Sequence, residues 1–191
     1  SKKKKKKPVY QFPASGKNTK KVIFIGRIAD MKGIVPLLKA RIPKEIDLIL
    51  IGDKSSATEL WPFVESRIMQ SKNIHFIGAL YGEEKIRALQ SADAIIIPSL
   101  HEPFGVVGLE ALASGATTIS SRVQGLGDYL NDLDSIYCGT TAESIGQALE
   151  YFIKIDEPFR TALRAQGYVT CEKYTMENSA QKLKAVFDEV L

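Results

Sequence analysis

At 191 residues, with 45% hydrophobic and 25% charged side chains, the chain has the size and balance of one well-buried α/β domain, or at most two small ones. Its formal net charge of +4 rests on the six lysines Lys2 to Lys7; without them the balance is −2, so composition excludes a general nucleic-acid binder. Cys138 and Cys171 match no metal-ligand or redox spacing, and no apolar run reaches the length of a membrane span, so free thiols, a cytoplasmic location and no stable membrane insertion are expected.

Residues 1–20 combine the lysine run with Pro8, Pro13, Ser15, Gly16 and Asn18, the composition of a flexible tail or linker, which leaves residues 21–191 as the folded domain. From Lys21 short β-rich runs alternate with helical ones. Strands are expected at Val22–Ile25, Leu48–Ile51, Ile74–Ile77, Ala94–Ile97, Thr117–Ser120 and Ser135–Cys138. The first helix is expected over Lys32–Ile42, where Ile34, Leu37, Leu38 and Ile42 share a face. Thr58 is positioned to cap a second, running to Gln70 with Pro62 in its first turn, and a third covers Glu83–Ser91. A helix from Gly105 to Ser114 and a short one over Gly125–Leu130 follow. The chain then reads as helical over Ala142–Ile153, Pro158–Cys171 and Glu177–Leu191.

Such alternation implies crossover connections and a parallel sheet covered on both faces, a doubly wound α/β architecture. Ligands of such sheets collect beyond the carboxyl ends of the strands, where the following helices present free N–H groups. The informative motifs all fall there.

The first is Gly26-Arg-Ile-Ala-Asp-Met-Lys-Gly33. It puts Arg27 and Lys32 on one loop, where two cations can grip a diphosphate from two sides. Gly33 rather than Ser or Thr follows the lysine, which excludes the phosphate loop of nucleoside triphosphatases. Without a ligand the same two residues read as solvated loop charges.

The second is Pro98 to Gly115. Between Gly105 and Ser114 only Glu110 is charged, so a helix here is expected to be buried on most of its surface, with a carboxylate whose partner comes from outside the helix. Glu102 lies in the preceding loop, about 7 to 8 Å away along the helix axis. Two carboxylates so spaced can accept hydrogen bonds from two sugars of one ligand. The amides of Phe104, Gly105, Val106 and Val107 at the helix N-terminus suit a phosphate. The competing readings are a structural salt bridge between Glu110 and a neighbouring arginine, and helix-dipole compensation at Glu102. Glycoside hydrolysis would need both carboxylates to flank one bond, whereas a buried glutamate behind an anion-binding turn suits holding a ligand.

The third, Gly125-Leu-Gly-Asp128, lacks the final glycine of a dinucleotide fingerprint, which argues against a dehydrogenase. His75 reads as a packed or rim residue and His101 pairs with no nucleophile; Trp61 and Tyr174 read as packing residues.

Taken together, Gly-Arg followed by Lys-Gly at 26–33, Phe-Ile-Gly at 76–78, Ala-Asp-Ala-Ile-Ile-Ile-Pro-Ser at 92–99, Glu-Pro-Phe-Gly and its helix at 102–115, and Gly-Leu-Gly-Asp at 125–128 occur in an order that resembles a known family. The chain from about Lys21 to Leu191 resembles the C-terminal, nucleotide-sugar-binding domain of retaining GT-B glycosyltransferases of group 1, the branch with glycogen and starch synthases. The resemblance implies that Arg27 and Lys32 bind the donor diphosphate, that Glu102 contacts the transferred sugar and that Glu110 meets the ribose hydroxyls. It places sugar and phosphate against Phe104 to Val107, and the base at the loop near Ile77 to Leu80, which includes Gly78, with no metal or other cofactor.

The family often has a proline where Thr117 or Thr118 stands, and two glycines where Gln124-Gly125 stands. It also works with a second, N-terminal domain that carries the acceptor site. The resemblance therefore implies an excised half or a partner-dependent subunit: it would bind a UDP- or ADP-sugar, with glucose favoured, and transfer nothing to a glycan acceptor alone. The last helix, with Ala180, Leu183, Val186 and Phe187, would cross onto that other domain. The alternative is a non-catalytic module that binds a sugar nucleotide or docks a protein.

Overall fold

The structure, a computed structural model, describes residues 9–175 and 177–181. Its strands are β1 (Lys20–Ile25), β2 (Ile46–Ile51), β3 (Ile74–Gly78), β4 (Ala94–Ile97), β5 (Thr117–Ser120) and β6 (Ser135–Tyr137). Its helices are α1 (Ile34–Lys39), α2 (Trp61–Gln70), α3 (Gly82–Ser91), α4 (Val106–Ser114), α5 (Ala142–Lys154) and α6 (Glu157–Glu172). All strand pairs are parallel and the sheet order is β3-β2-β1-β4-β5-β6, so the winding direction reverses between β1 and β4. That order is the doubly wound, Rossmann-like one, whose ligand crevice opens at the reversal.

Alternation along the strands builds a core on each face. Val22, Phe24, Leu48, Leu50 and Ile96 point to the face covered by α1, α2 and α5, meeting Leu37, Leu38, Val64, Ile145 and Phe152. Ile23, Ile49, Ile51, Ile95 and Ile97 point to the other, where Ala88 and Leu89 of α3 and Ala111 and Leu112 of α4 cover them.

The six expected strands are present, and the helices differ mainly at their ends. Lys32 stands in a separate 3-10 turn, Asp30–Lys32, because Gly33 takes a left-handed φ of 71° and breaks the run before α1. Thr58 does not cap α2: the residue before the helix is Leu60, with no side-chain cap. The short helix expected at 125–130 is a 3-10 turn over Gln124–Leu126. Caps do define α5, through reciprocal Thr141 and Ser144 bonds, and α6, where Phe159 N–H donates to Asp156 Oδ1 at 2.9 Å. Of the helix expected over 177–191, residues 182–191 lie outside the described residues, as do Lys2 to Lys7.

Residues 10–19, expected within a tail, lie against the domain. Tyr10 and Phe12 pack on the second core, and Tyr10 N–H donates to Ser91 Oγ at 2.9 Å. Ser15 N–H, Thr19 Oγ1 and Lys21 Nζ all donate to Asp47, whose side chain is fully buried at the foot of β2, with His75 Nε2 3.3 Å away. A buried carboxylate requires such donors, and sequence periodicity does not reveal which residues supply them.

Candidate functional site

At the carboxyl edge of the sheet the strand ends are joined through glycines. Gly26 N–H donates to Ile51 O at 3.0 Å, and Gly52 N–H to Gly78 O at 2.9 Å. A Cβ on Gly52 would lie 1.8 Å from the Gly26 carbonyl oxygen, so Gly26, Gly52 and Gly78 form a close-set floor across β1, β2 and β3. Gly78 has a φ of 80° and open space on its Cβ side.

The reversal point is built from two loops held together. Gly33 packs so closely on Pro98 that a Cβ would fall 1.8 Å from the Pro98 carbonyl oxygen. Leu100 and His101 N–H both donate to Met31 O, at 2.8 and 3.2 Å. The loop after β1 and the loop after β4 thereby face each other, and Lys32 Nζ donates to Glu102 Oε2. Glu102 is 8% exposed, so this ion pair is largely withdrawn from water. Arg27 is exposed on the same loop; its Nη2 has only the Met31 sulfur at 3.8 Å, and no carboxylate among the described residues pairs with it.

Helix α4 starts beside this pair. Gly105 is its N-cap, with a φ of 83°, and a Cβ there would meet Leu126 Cδ2 at 2.4 Å and Glu102 Cγ at 2.8 Å. The first N–H groups of a helix have no intrahelical acceptor, so Val106 and Val107 present donors at the edge where Lys32 and Arg27 stand. Phe104 and Val106 are exposed there, at 43% and 60%, and Val107 is half-buried.

Tyr129, not singled out by sequence reasoning, braces this start from below. Its hydroxyl donates to Gly105 O, its ring lies 5.7 Å from Phe104 and 5.5 Å from Tyr174, and a Cβ on Gly108 would come within 2.2 Å of the hydroxyl. Burial, reinforced by the nearby negative charge of Glu102, raises the Tyr129 pKa, so the phenol remains a donor.

Glu110 corrects an expectation. Its side chain is 37% exposed rather than buried: the buried residues of α4 are Gly108, Ala111 and Leu112, with Val107 and Leu109 packed against the same core. Its partner is Lys85 of α3, whose Nζ lies 2.6 Å from Oε1. A salt bridge is present at this glutamate, but to a lysine rather than the anticipated arginine, and no local pattern announces the place of Lys85 opposite α4. Glu102 and Glu110 each carry a lysine, one on either side of the α4 N-terminus.

Among the described residues no group of three or more His, Cys, Asp or Glu is placed to hold a metal ion, and no helix is long and apolar enough to cross a membrane.

A family model described as glycosyl transferases group 1 matches residues 6–170. The D-inositol 3-phosphate glycosyltransferase of Corynebacterium diphtheriae is 28% identical over 184 residues, covering 90% of this chain and 43% of that one. The glycogen synthase of Mycobacterium tuberculosis is 28% identical over 154 residues, covering 76% and 36%. The chain thus spans less than half the length of these curated relatives. Among solved structures, Anabaena HepE in complex with UDP-glucose superposes with a TM-score of 0.79 at 16% identity, over 90% of this chain and 49% of that one, a likeness of fold.

Proposed function

The chain belongs to the group 1 glycosyltransferases, and from that premise we propose that it is the donor-binding half of a retaining hexosyltransferase using a UDP- or ADP-sugar, glucose in the first instance. The observation that carries the reading is the Lys32–Glu102 pair at the sheet reversal, set against the N-terminus of α4. In this reading the diphosphate lies over Gly26, between Arg27, Lys32 and the Val106 and Val107 amides, and the base lies beside Gly78. An anionic ligand there is favoured by two cations and by the helix dipole together. Lys32 then serves the diphosphate as well as Glu102. That leaves the Glu102 carboxylate free to accept from the hydroxyls of the sugar beside Phe104 and Gly105.

Departure of the nucleoside diphosphate places negative charge on the terminal phosphate oxygens. Arg27 and Lys32 stabilise that charge as it develops, which is the electrostatic contribution expected of this half. The reading calls for no metal, since fixed cations meet the charge. Glu110, held by Lys85, accepts from the ribose hydroxyls with its remaining oxygen. The curated relatives are more than twice as long, so an acceptor-binding N-terminal domain completes the cleft in this reading, and the isolated chain binds donor without transferring sugar.

Titration calorimetry of the chain with UDP and ADP tests the reading. Micromolar to millimolar binding of one of them, insensitive to EDTA, is expected; no heat with either overturns it. Adding a cognate N-terminal domain separates an enzyme half from a module that only binds, since the module would remain without transfer.

A further inference from the structure

The loop after β5 holds the two described non-glycine residues with a left-handed φ, Arg122 at 54° and Gln124 at 42°. Side chains other than glycine adopt this region at a cost, and in a folded protein the cost is met by contacts that require the conformation. Both contacts are present. The Arg122 guanidinium is tied to the sheet edge, to Ser135 O at 2.6 Å, Ser135 Oγ at 3.3 Å and Asp132 Oδ1 at 2.6 Å. Gln124 reaches the other way: its Oε1 accepts the N–H of Glu102 at 3.2 Å, while the next residue, Gly125, donates its own N–H to Glu102 O at 3.1 Å. Both backbone polar groups of Glu102 are thus held by two consecutive residues of one loop. The fit is tight, since a Cβ on Gly125 would fall 2.3 Å from Pro103 O and 2.4 Å from Phe104 Cα.

We propose that Gln124 is a positioning residue for Glu102: its strained backbone is retained because it aims the amide oxygen at the Glu102 N–H and so sets where the carboxylate stands against the transferred sugar. The proposal rests on the donor-binding reading for its functional consequence, but its geometric content is independent of any ligand. Among the described residues the Glu102 carboxylate has one side-chain anchor, Lys32, which in that reading must also serve the diphosphate. A backbone clamp keeps the carboxylate in place when Lys32 turns to the phosphate. Gln124 touches no reacting atom in this account and acts through Glu102.

Two variants separate positioning from scaffolding. Gln124→Gly removes the hydrogen bond but also the strain, because glycine adopts φ 42° freely. Gln124→Ala removes the bond and keeps the strain. The full chain is used for both, with the four probes UDP, ADP, UDP-glucose and ADP-glucose. Expected for Gln124→Gly is a thermal midpoint equal to or above that of the parent, with Glu102 amide hydrogen exchange faster by about tenfold, the scale of one lost hydrogen bond. UDP or ADP affinity stays within about twofold, while the ratio of sugar-nucleotide to nucleotide affinity moves by about fivefold or more. Gln124→Ala gives the same exchange and ratio changes with a lowered midpoint. Unchanged Glu102 exchange in Gln124→Gly overturns the proposal, as does an unchanged affinity ratio where the parent binds. A uniform loss of stability and of all binding also overturns it, because that is what a scaffold residue would show. If the parent binds none of the four probes, the donor-binding reading fails, and the exchange measurement still decides whether Gln124 positions Glu102.

Discussion

Lys32 and Glu102, 70 positions apart in sequence, meet in a largely buried ion pair that joins the loop after β1 to the loop before α4. Removing one member leaves the other desolvated and uncompensated, which costs more than the pair itself contributes. Lys32→Ala is therefore expected to lower unfolding free energy by about 2 to 3 kcal/mol, and Lys32→Met combined with Glu102→Gln by clearly less. Urea denaturation at pH 7 measures both; a double variant no more stable than Lys32→Ala would refute the coupling.

Arg27 makes the complementary case. It is exposed, with no carboxylate partner among the described residues, so Arg27→Ala should change stability by no more than about 0.5 kcal/mol. Its loss of one charge-assisted contact to a diphosphate should weaken UDP or ADP binding about tenfold. Calorimetry beside thermal unfolding reads the two quantities; an affinity equal to that of the parent would remove Arg27 from the site.

Asp47 is expected to control the acid side of the stability curve. Burial alone would raise its pKa, but hydrogen bonds from Lys21, Ser15 and Thr19 together hold it well below the ordinary carboxylate range. A depressed folded-state pKa means that the contribution is complete above the unfolded value of about 3.9 and is lost as pH falls toward the folded one. Asp47→Asn should cost about 3 kcal/mol at pH 7 and flatten the fall in stability below pH 4. Urea midpoints at pH 7, 4 and 2.5 for both proteins check this; parallel curves would show that Asp47 does not control the acid limb.

Two glycines with left-handed backbone should respond differently to alanine. At Gly105 the new methyl meets Leu126 Cδ2 at 2.4 Å, whereas at Gly78 nothing lies within 4 Å. Gly78→Ala should cost only the conformational strain, about 1 kcal/mol, and Gly105→Ala about 3 kcal/mol or more, since packing under α4 must also shift. Equal losses in denaturant titrations would show that Leu126 yields freely.

Much of the architecture is legible in the sequence. Runs such as Ala94–Ile97 and Thr117–Ser120 are short, apolar or β-branched and separated by helical periodicity, which is enough to specify a parallel sheet with helices on both faces. The candidate site was legible in outline for a related reason: glycines, cations and the Glu-Pro-Phe-Gly turn lie at strand ends, where a doubly wound sheet collects ligands. Element ends were less legible. The 3-10 turn at Lys32 and the missing cap at Thr58 depend on how Gly33 meets Pro98 and on where Leu60 packs, contacts between distant segments.

The sequence by itself thus determined the strand and helix succession, the two-faced core and the set of charged residues brought to one edge, because periodicity and turn chemistry are local properties. Only the tertiary structure decided the pairings. Lys32 goes to Glu102, Lys85 to Glu110, Tyr129 to Gly105 and Gln124 to the Glu102 amide. Each joins residues separated by 22 or more positions, and a buried or half-buried polar group takes whichever partner the packed sheet sets opposite it.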